Sequence, residues 1–407
     1  MAKWMVSMKK SDFDAAAARF GIRNITARLL TNRGVTTYEE IDRYLNGDAS
    51  MIGDPFELED MEKGAALMLE QIKKGARIRV IGDYDVDGIC SSFILVSGLR
   101  LFGGDVDYVL PHRIKDGYGL SVKLVDEAFA EGRDTIITCD NGIAAFDQVA
   151  HAKELGMTVI VTDHHEVPFE VIGDKPGNSR CDQGAENGEE SDDSCSDQGT
   201  GNAETRGDSE SSLDAGDVKG CGGSDDTDAS CKRDKEQTRE LLPPADAVID
   251  PKRRDGHVRF KEICGAVVAY KFLQVMEKLS GQSFDDFFDE MLIFAGLATV
   301  CDVMELRDEN RIFVKESLKR IADTKNKGLR ALINVNNLDA GALSAYHYGF
   351  VIGPCFNASG RLDMASRALA LLLEEDEKKA AEEAVVLKAE QSGRAPGRSD
   401  SGPFPCL

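Results

Sequence analysis

Residues Arg77-Ile78-Arg79-Val80-Ile81-Gly82-Asp83-Tyr84-Asp85-Val86-Asp87-Gly88 read as a short strand that runs straight into an acidic turn bounded by glycines. An apolar run over 89–101 follows, long enough for a helix. Working outward, the same alternation repeats. Strands are expected at 106–110, 135–138 and 158–162, with helices at 121–131 and 145–155 between them. A further strand is expected at 247–250. Strands alternating with helices imply βαβ units, so the fold class is α/β, a parallel sheet flanked by helices. Helical segments at 264–279, 284–297 and 312–321 come next, then one long amphipathic connecting helix at 365–388. Upstream, 1–76 forms a helical lead-in. It has a helix at 37–45 with Thr37 as N-cap, a turn at Asp54-Pro55 and a helix at 60–74 that stops at Gly75.

The acidic residues fall where such a sheet collects ligands, at the carboxyl ends of its strands. The first strand delivers Asp83, Asp85 and Asp87, the third delivers Asp140 before Asn141-Gly142, and the fourth delivers Asp163-His164-His165. Core packing does not call for this. Clustered carboxylates raise each other's pKa unless a cation compensates them. Oxygens with one or two imidazoles suit Mn²⁺ or Mg²⁺ better than Zn²⁺. The number of groups suits two ions sharing one carboxylate, spaced roughly 3.5–4 Å, an arrangement that serves in-line phosphoryl displacement. An Asp after a strand is often only a helix N-cap. A calcium loop would need Glu where Ile94 stands. Neither simpler reading accounts for all three strand ends together.

The 407 residues carry a net charge of −23, which argues against a polyanion as partner until the charge is located. Residues 173–237 hold about 18 acidic and about 7 basic side chains, a net of about −11. The segment 173–240 has almost no large apolar residues, so it is expected to be a disordered acidic insert. The ten cysteines show no CxxC pair. Cys90, Cys139, Cys264 and Cys301 read as buried thiols rather than a disulfide framework. No leader and no membrane-length apolar stretch is read, so the expected location is the cytoplasm.

The ordered motifs Gly82–Gly88, Asp140-Asn141-Gly142 and Asp163-His164-His165 resemble those of the DHH phosphoesterases, and within them the RecJ-type single-strand-specific 5′→3′ exonucleases. Further resemblance lies in Leu29-Leu30-Thr31-Asn32-Arg33-Gly34, Asp54-Pro55-Phe56, Pro111-His112-Arg113 with Gly117-Tyr118-Gly119, and the segment 298–303. Gly353-Pro354 and the segment 357–361 extend it. It covers residues 22–172 and 244–388. The resemblance implies that a DHH catalytic domain spans 77–364. In it Asp83, Asp85, Asp87, Asp140, His164 and Asp302 hold two ions, Mn²⁺ or Mg²⁺. Asp140 bridges them, and Asp85, Asp140, His164 and His165 carry the catalysis. Asp163 orients a histidine, Arg361 and Asn357 meet the substrate phosphate, and Arg113, His112 and Tyr118 line the path of the DNA. His151 and His257 read as surface residues and His347 as a packing residue.

The implied reaction is hydrolysis of single-stranded DNA in repair and recombination, with a single-strand-binding protein and a helicase as partners and no membrane. Two alternatives stay open: a small-substrate DHH phosphoesterase acting on nanooligonucleotides, cyclic dinucleotides or pyrophosphate, and a non-catalytic replication scaffold. The chain departs from the pattern in the acidic insert and at its end. No Gly-Gly-Gly-His of a second, DHHA1-type domain is found. Residues 392–407 read as an aberrant or disordered tail after a connecting helix over 365–391. The expectation is a truncated chain that degrades DNA weakly and whose connecting helix exposes an apolar face.

Overall fold

The computed structural model describes residues 11–111, 119–172, 237–356 and 364–391. The lead-in is helical, as expected: α1 (Phe13–Phe20), α2 (Asn24–Asn32), α3 (Tyr38–Asn46) and α4 (Met61–Lys74). Thr37 caps α3 in a reciprocal box with Glu40, which satisfies two amides that the helix cannot. Ala16, Ala27, Leu30, Val35 and Ile41 form a small core of their own.

The sheet then builds as β1 (Arg77–Ile81), α5 (Val86–Leu101), β2 (Asp105–Val109), α6 (Val122–Ala130), β3 (Thr135–Cys139), α7 (Phe146–Glu154) and β4 (Thr158–Thr162). A two-stranded sheet pairs β5 (Phe169–Ile172) with β6 (Gln237–Glu240). Next, β7 (Ala247–Ile249) joins the main sheet, whose order is β2-β1-β3-β4-β7 with every neighbour parallel. β3, β4 and β7 are buried along almost their whole length because both faces of the sheet are covered there. Ile78, Val80, Ile137 and Ile160 enter the larger core, while Ile81, Ile136, Val159 and Val161 enter the core under α6 and α7. That two-residue alternation between faces follows from the pleat. The chain leaves β1 toward β2 on one side and returns to β3 on the other. The strand order therefore reverses between β1 and β3, which opens a crevice at their carboxyl ends.

Helices complete the larger core: α8 (Gly265–Ser280), α9 (Asp285–Cys301), α10 (Asp308–Arg320), α11 (Lys327–Val335), α12 (Ala345–His347), a π-helical turn at Tyr348–Ile352, α13 (Gly353–Phe356), α14 (Met364–Leu373) and α15 (Glu377–Gln391). Lys271 and Glu309, both buried, pair at 2.8 Å, and each also bonds to the backbone of Gly53. This ties the lead-in to α8 and α10. Breaking such a pair costs about 3–5 kcal/mol because one charge is left buried alone.

Three expectations need correction. The single long helix expected at 365–388 is two helices. Asp376 interrupts it by accepting the amides of Lys378 and Lys379, which caps α15. Arg367 of α14 pairs with Glu383 and Glu390, so α15 turns back along α14. Nor does this region expose its apolar face: Leu369, Leu372, Ala380, Ala384 and Leu387 are buried in the main core. Finally, the unfolded acidic stretch was expected to reach residue 240, but Gln237–Glu240 form β6 because β5 offers a free edge to pair with. The rest of that stretch and the tail lie outside the described residues.

Candidate metal centre

The crevice between β1 and β3 gathers the expected side chains. After β1, Asp83 is buried and Asp85 caps α5, with its Oδ1 accepting the Gly88 amide at 2.9 Å. The cap reading of Asp85 is thus correct, yet Asp83, Asp85 and Asp140 each present an oxygen within 4.8 Å of the others. Capping leaves a carboxylate further lone pairs, so the two roles coexist. Gly88 is required here, because a Cβ would collide with the backbone of Asp83. Asp87 has a second task. Its two oxygens accept the Gly265 and Ala266 amides at 2.6 and 2.8 Å, which anchors the N-terminus of α8 under the site. Gly265 permits this approach, since a Cβ there would lie 2.9 Å from Asp140 Cβ.

At the end of β3, Asp140 adopts φ 60°, a left-handed conformation that Asp tolerates better than bulkier residues. The Asn141 amide nitrogen donates to the Ile81 and Cys139 carbonyls, which links the ends of β1 and β3. From β4, His164 Nε2 lies 3.0 Å from Asp140, 3.5 Å from Asp87 and 3.7 Å from Asp302. Asp302, at the C-cap of α9, reaches the site from far along the chain. Asp163 accepts four hydrogen bonds, from the amides of Ile143, His164 and His165 and from His165 Nδ1 at 2.7 Å. A cavity of about 470 Å³ opens beside His165, lined by Gly119, Asn141, Gly142, Ala144 and Glu166 among others.

The electrostatics are those of a site built for cations. Burial, then the neighbouring Asp85, pushes Asp83 up to about 7. Burial, then Asp87 and Asp85, pushes Asp302 up to about 7. Asp140 is raised well above the carboxylate range by burial, then by Asp87, Asp85, Asp163 and Asp83. Burial would also raise Asp163, but the His165 bond and charge and the backbone amides outweigh it and leave Asp163 lowered. Burial works against a charged His165, yet the bond to Asp163 prevails and raises it to about 9. Asp83 Oδ1 and His164 Nδ1 are buried and find no hydrogen-bond partner among the described residues. Orphaned donor atoms among carboxylates that cannot all ionise suit divalent cations, which would supply the missing charge.

Arg113, His112, Tyr118, Asn357 and Arg361 lie outside the described residues. His151 pairs with Asp126 at 2.7 Å and His257 is exposed, as surface residues. Reading the sequence missed Asp250. It follows β7, is buried and rises to about 7 through burial and the charge of Asp163, and its Oδ2 has no partner among the described residues. The available signal was its place after the last parallel strand.

A pH dependence follows. Without metal, the folded carboxyls hold protons that the unfolded chain has released, so stability should fall as pH rises from about 4 through about 7. The Asp163–His165 pair contributes in the same direction. The His165 part of that stability is fully present below about 6.5 and lost as pH passes about 9, whereas the lowered Asp163 loses its part only in acid. Binding Mn²⁺ must displace the carboxyl protons, so its stabilising shift should grow with pH up to about 7 and beyond. Melting curves with chelator and with Mn²⁺ from pH 5 to 9 test this, and a Mn²⁺ shift independent of pH would contradict it.

Residues 77–187 match the model of the DHH family, N-terminal domain. The single-stranded-DNA-specific exonuclease RecJ of Escherichia coli (strain K12) is 32% identical over 357 residues, which is 85% of this chain and 49% of that protein. RecJ of Bacillus subtilis (strain 168) is 28% identical over 92% of this chain and 38% of its own length. The chain thus spans about half the length, or less, of these relatives. Among solved structures, RecJ of Thermus thermophilus in complex with Mn²⁺ superposes with a TM-score of 0.63 and 25% identity, over 94% of this chain and 44% of that one. An exonuclease RecJ bound to manganese gives 0.59 and 28%, over 83% of this chain and 66% of that one. Fold, motif order and these similarities agree that residues 77–187 form a DHH-family domain and that the chain is similar over most of its length to the RecJ exonucleases.

Proposed function

We propose that the chain hydrolyses the phosphodiester bonds of single-stranded DNA from the 5′ end, using two divalent ions, Mn²⁺ or Mg²⁺. The observation that carries this reading is the convergence of Asp83, Asp85, Asp140, His164 and Asp302 in one crevice at the strand-order reversal. Asp83, Asp85 and Asp140 would hold one ion, and Asp87, His164 and Asp302 the other, with Asp140, 3.0 Å from His164, shared between them. Bound ions of this kind supply hydroxide near neutral pH and stabilise a leaving oxygen.

The chain's own residues do the rest. Asp87 fixes α8 beneath the site. Asp163 holds His165 by Nδ1 and keeps the ring charged at neutral pH, so it can donate to a phosphate oxygen beside the cavity. Arg361, Asn357, Arg113 and Tyr118 are proposed contacts to the strand. A net-acidic protein can still take a polyanion where ions and a few arginines set the local field. In this reading the chain works in the cytoplasm in repair and recombination, alongside a single-strand-binding protein and a helicase. Among the described residues no helix is long and apolar enough to cross a membrane.

The test is cleavage of a 3′-labelled single strand, the matching duplex and a dinucleotide, each with Mn²⁺ and with chelator. The expected result is Mn²⁺-dependent shortening of the single strand from its 5′ end while the duplex is spared. Turnover of the dinucleotide alone would favour a small-substrate phosphoesterase and overturn the reading.

A further inference from the structure

The segment from α12 through α13 presents two large rings to water. Tyr346 and Phe350 are 63% and 71% exposed, and they stack on each other with centroids 5.1 Å apart and planes 25° from parallel. Their neighbours point inward. Tyr348 is fully buried with its hydroxyl 2.8 Å from Ser317, and Ile352 is buried in the core. The backbone here takes a π-helical turn, a rare conformation that recurs at functional sites. His347 meets Tyr346 edge-on at 5.7 Å, and its Nδ1 is tied to the amide and hydroxyl of Ser344, so it braces the outer ring.

The turn that carries the pair is anchored to the end of α9. The Tyr348 carbonyl accepts from Cys301 Sγ at 3.5 Å, and a Cβ on Gly353 would lie 2.7 Å from the same sulfur. A Cβ on Gly349 would touch Val300 at 3.5 Å. The residue after Cys301 is Asp302, one of the groups around His164. Beyond it Val303 is 87% exposed and held at φ 55°. The turn is thus fixed to the last turn of the helix that delivers Asp302.

We propose that Tyr346 and Phe350 form a stacking platform for a nucleobase of the strand whose backbone lies at the metal centre. The inference rests on the single-strand reading above and deepens it. Metals and arginines engage phosphate and leave the bases unsupported. A preformed ring stack with an open face extends by one base at little ordering cost, and it takes any base because each has a π-face. That would help to hold the strand in place during hydrolysis without imposing sequence preference.

The experiment compares Tyr346→Ala/Phe350→Ala with the wild type in binding a 5′-labelled oligothymidine and an abasic strand of equal length, by fluorescence anisotropy without metal. The double variant should bind oligothymidine roughly ten- to a hundredfold more weakly and the abasic strand about as the wild type does. Its melting temperature should be unchanged, and Tyr346→Trp/Phe350→Trp should retain binding. Equal losses on both strands, no loss on either, or a large fall in melting temperature would overturn the platform; the last would mean that the rings pack on protein. A wild type that binds neither strand would overturn the single-strand reading as well, whereas a wild type that binds while the double variant matches it overturns the platform alone.

Discussion

Replacing Asp140 by Asn should lower Mn²⁺-dependent hydrolysis by on the order of a thousandfold or more while leaving the fold intact. Asp140 sits where the two candidate groups of ligands overlap, 3.0 Å from His164 and within reach of Asp83 and Asp85. An amide has the same shape but no charge to share between cations. The stability effect runs the other way. Burial and four neighbouring carboxylates raise Asp140 far above its ordinary range, so in the metal-free protein its negative form is a liability. The variant should therefore melt at or above the wild-type temperature in chelator near pH 8, and should lose most of the stabilisation that Mn²⁺ gives the wild type. Near-normal cleavage, or an undiminished Mn²⁺ shift, would remove Asp140 from the bridging role.

Asp163→Ala should be the most destabilising single change at the site. The carboxylate is buried and satisfies three backbone amides and one imidazole. Deleting it leaves the buried Ile143 and His164 amides without their acceptor and removes the partner of His165, at about 3–5 kcal/mol in total. For a chain this size that amounts to a fall in melting temperature of roughly five degrees. Asp163→Asn isolates the functional part. It keeps the volume but removes the charge that raises His165 to about 9, so the ring should titrate lower, and cleavage should fall about ten- to a hundredfold at neutral pH. An NMR titration of His165 reads the first effect and single-turnover cleavage the second. A His165 that still titrates near 9 in Asp163→Asn would show that the pair does not hold its charge.

Much of this is legible in the sequence. The parallel sheet follows from short apolar strands alternating with helices, and its ends stay within a residue or two of the expected ones because glycine and polar punctuation is local. Thr37 and Gly75 bound their helices as read. The acidic motifs could be placed at strand ends because each follows its strand within a few residues. The break before α15 was not legible, since the charged run Glu374 to Lys379 holds no glycine or proline to mark it, and only the pairing of Arg367 with Glu383 and Glu390 shows the reversal. For the same reason, the apolar face expected to be exposed is buried.

By itself, then, the sequence determined the parallel α/β architecture and the identity of the acidic and imidazole groups at the ends of β1, β3 and β4. Those properties depend on periodicity and spacing over a few residues, and a chain expresses such preferences locally. Only the tertiary structure decided what each group touches. It brought Asp302 to within 3.7 Å of His164 across more than a hundred residues of chain. It turned Asp87 into the anchor of α8, added Asp250 as an unforeseen buried acid, and left Tyr346 and Phe350 facing water while Tyr348 between them was buried. Each of these depends on which distant surfaces close on one another, and that is settled by packing the whole core rather than by any local run of residues.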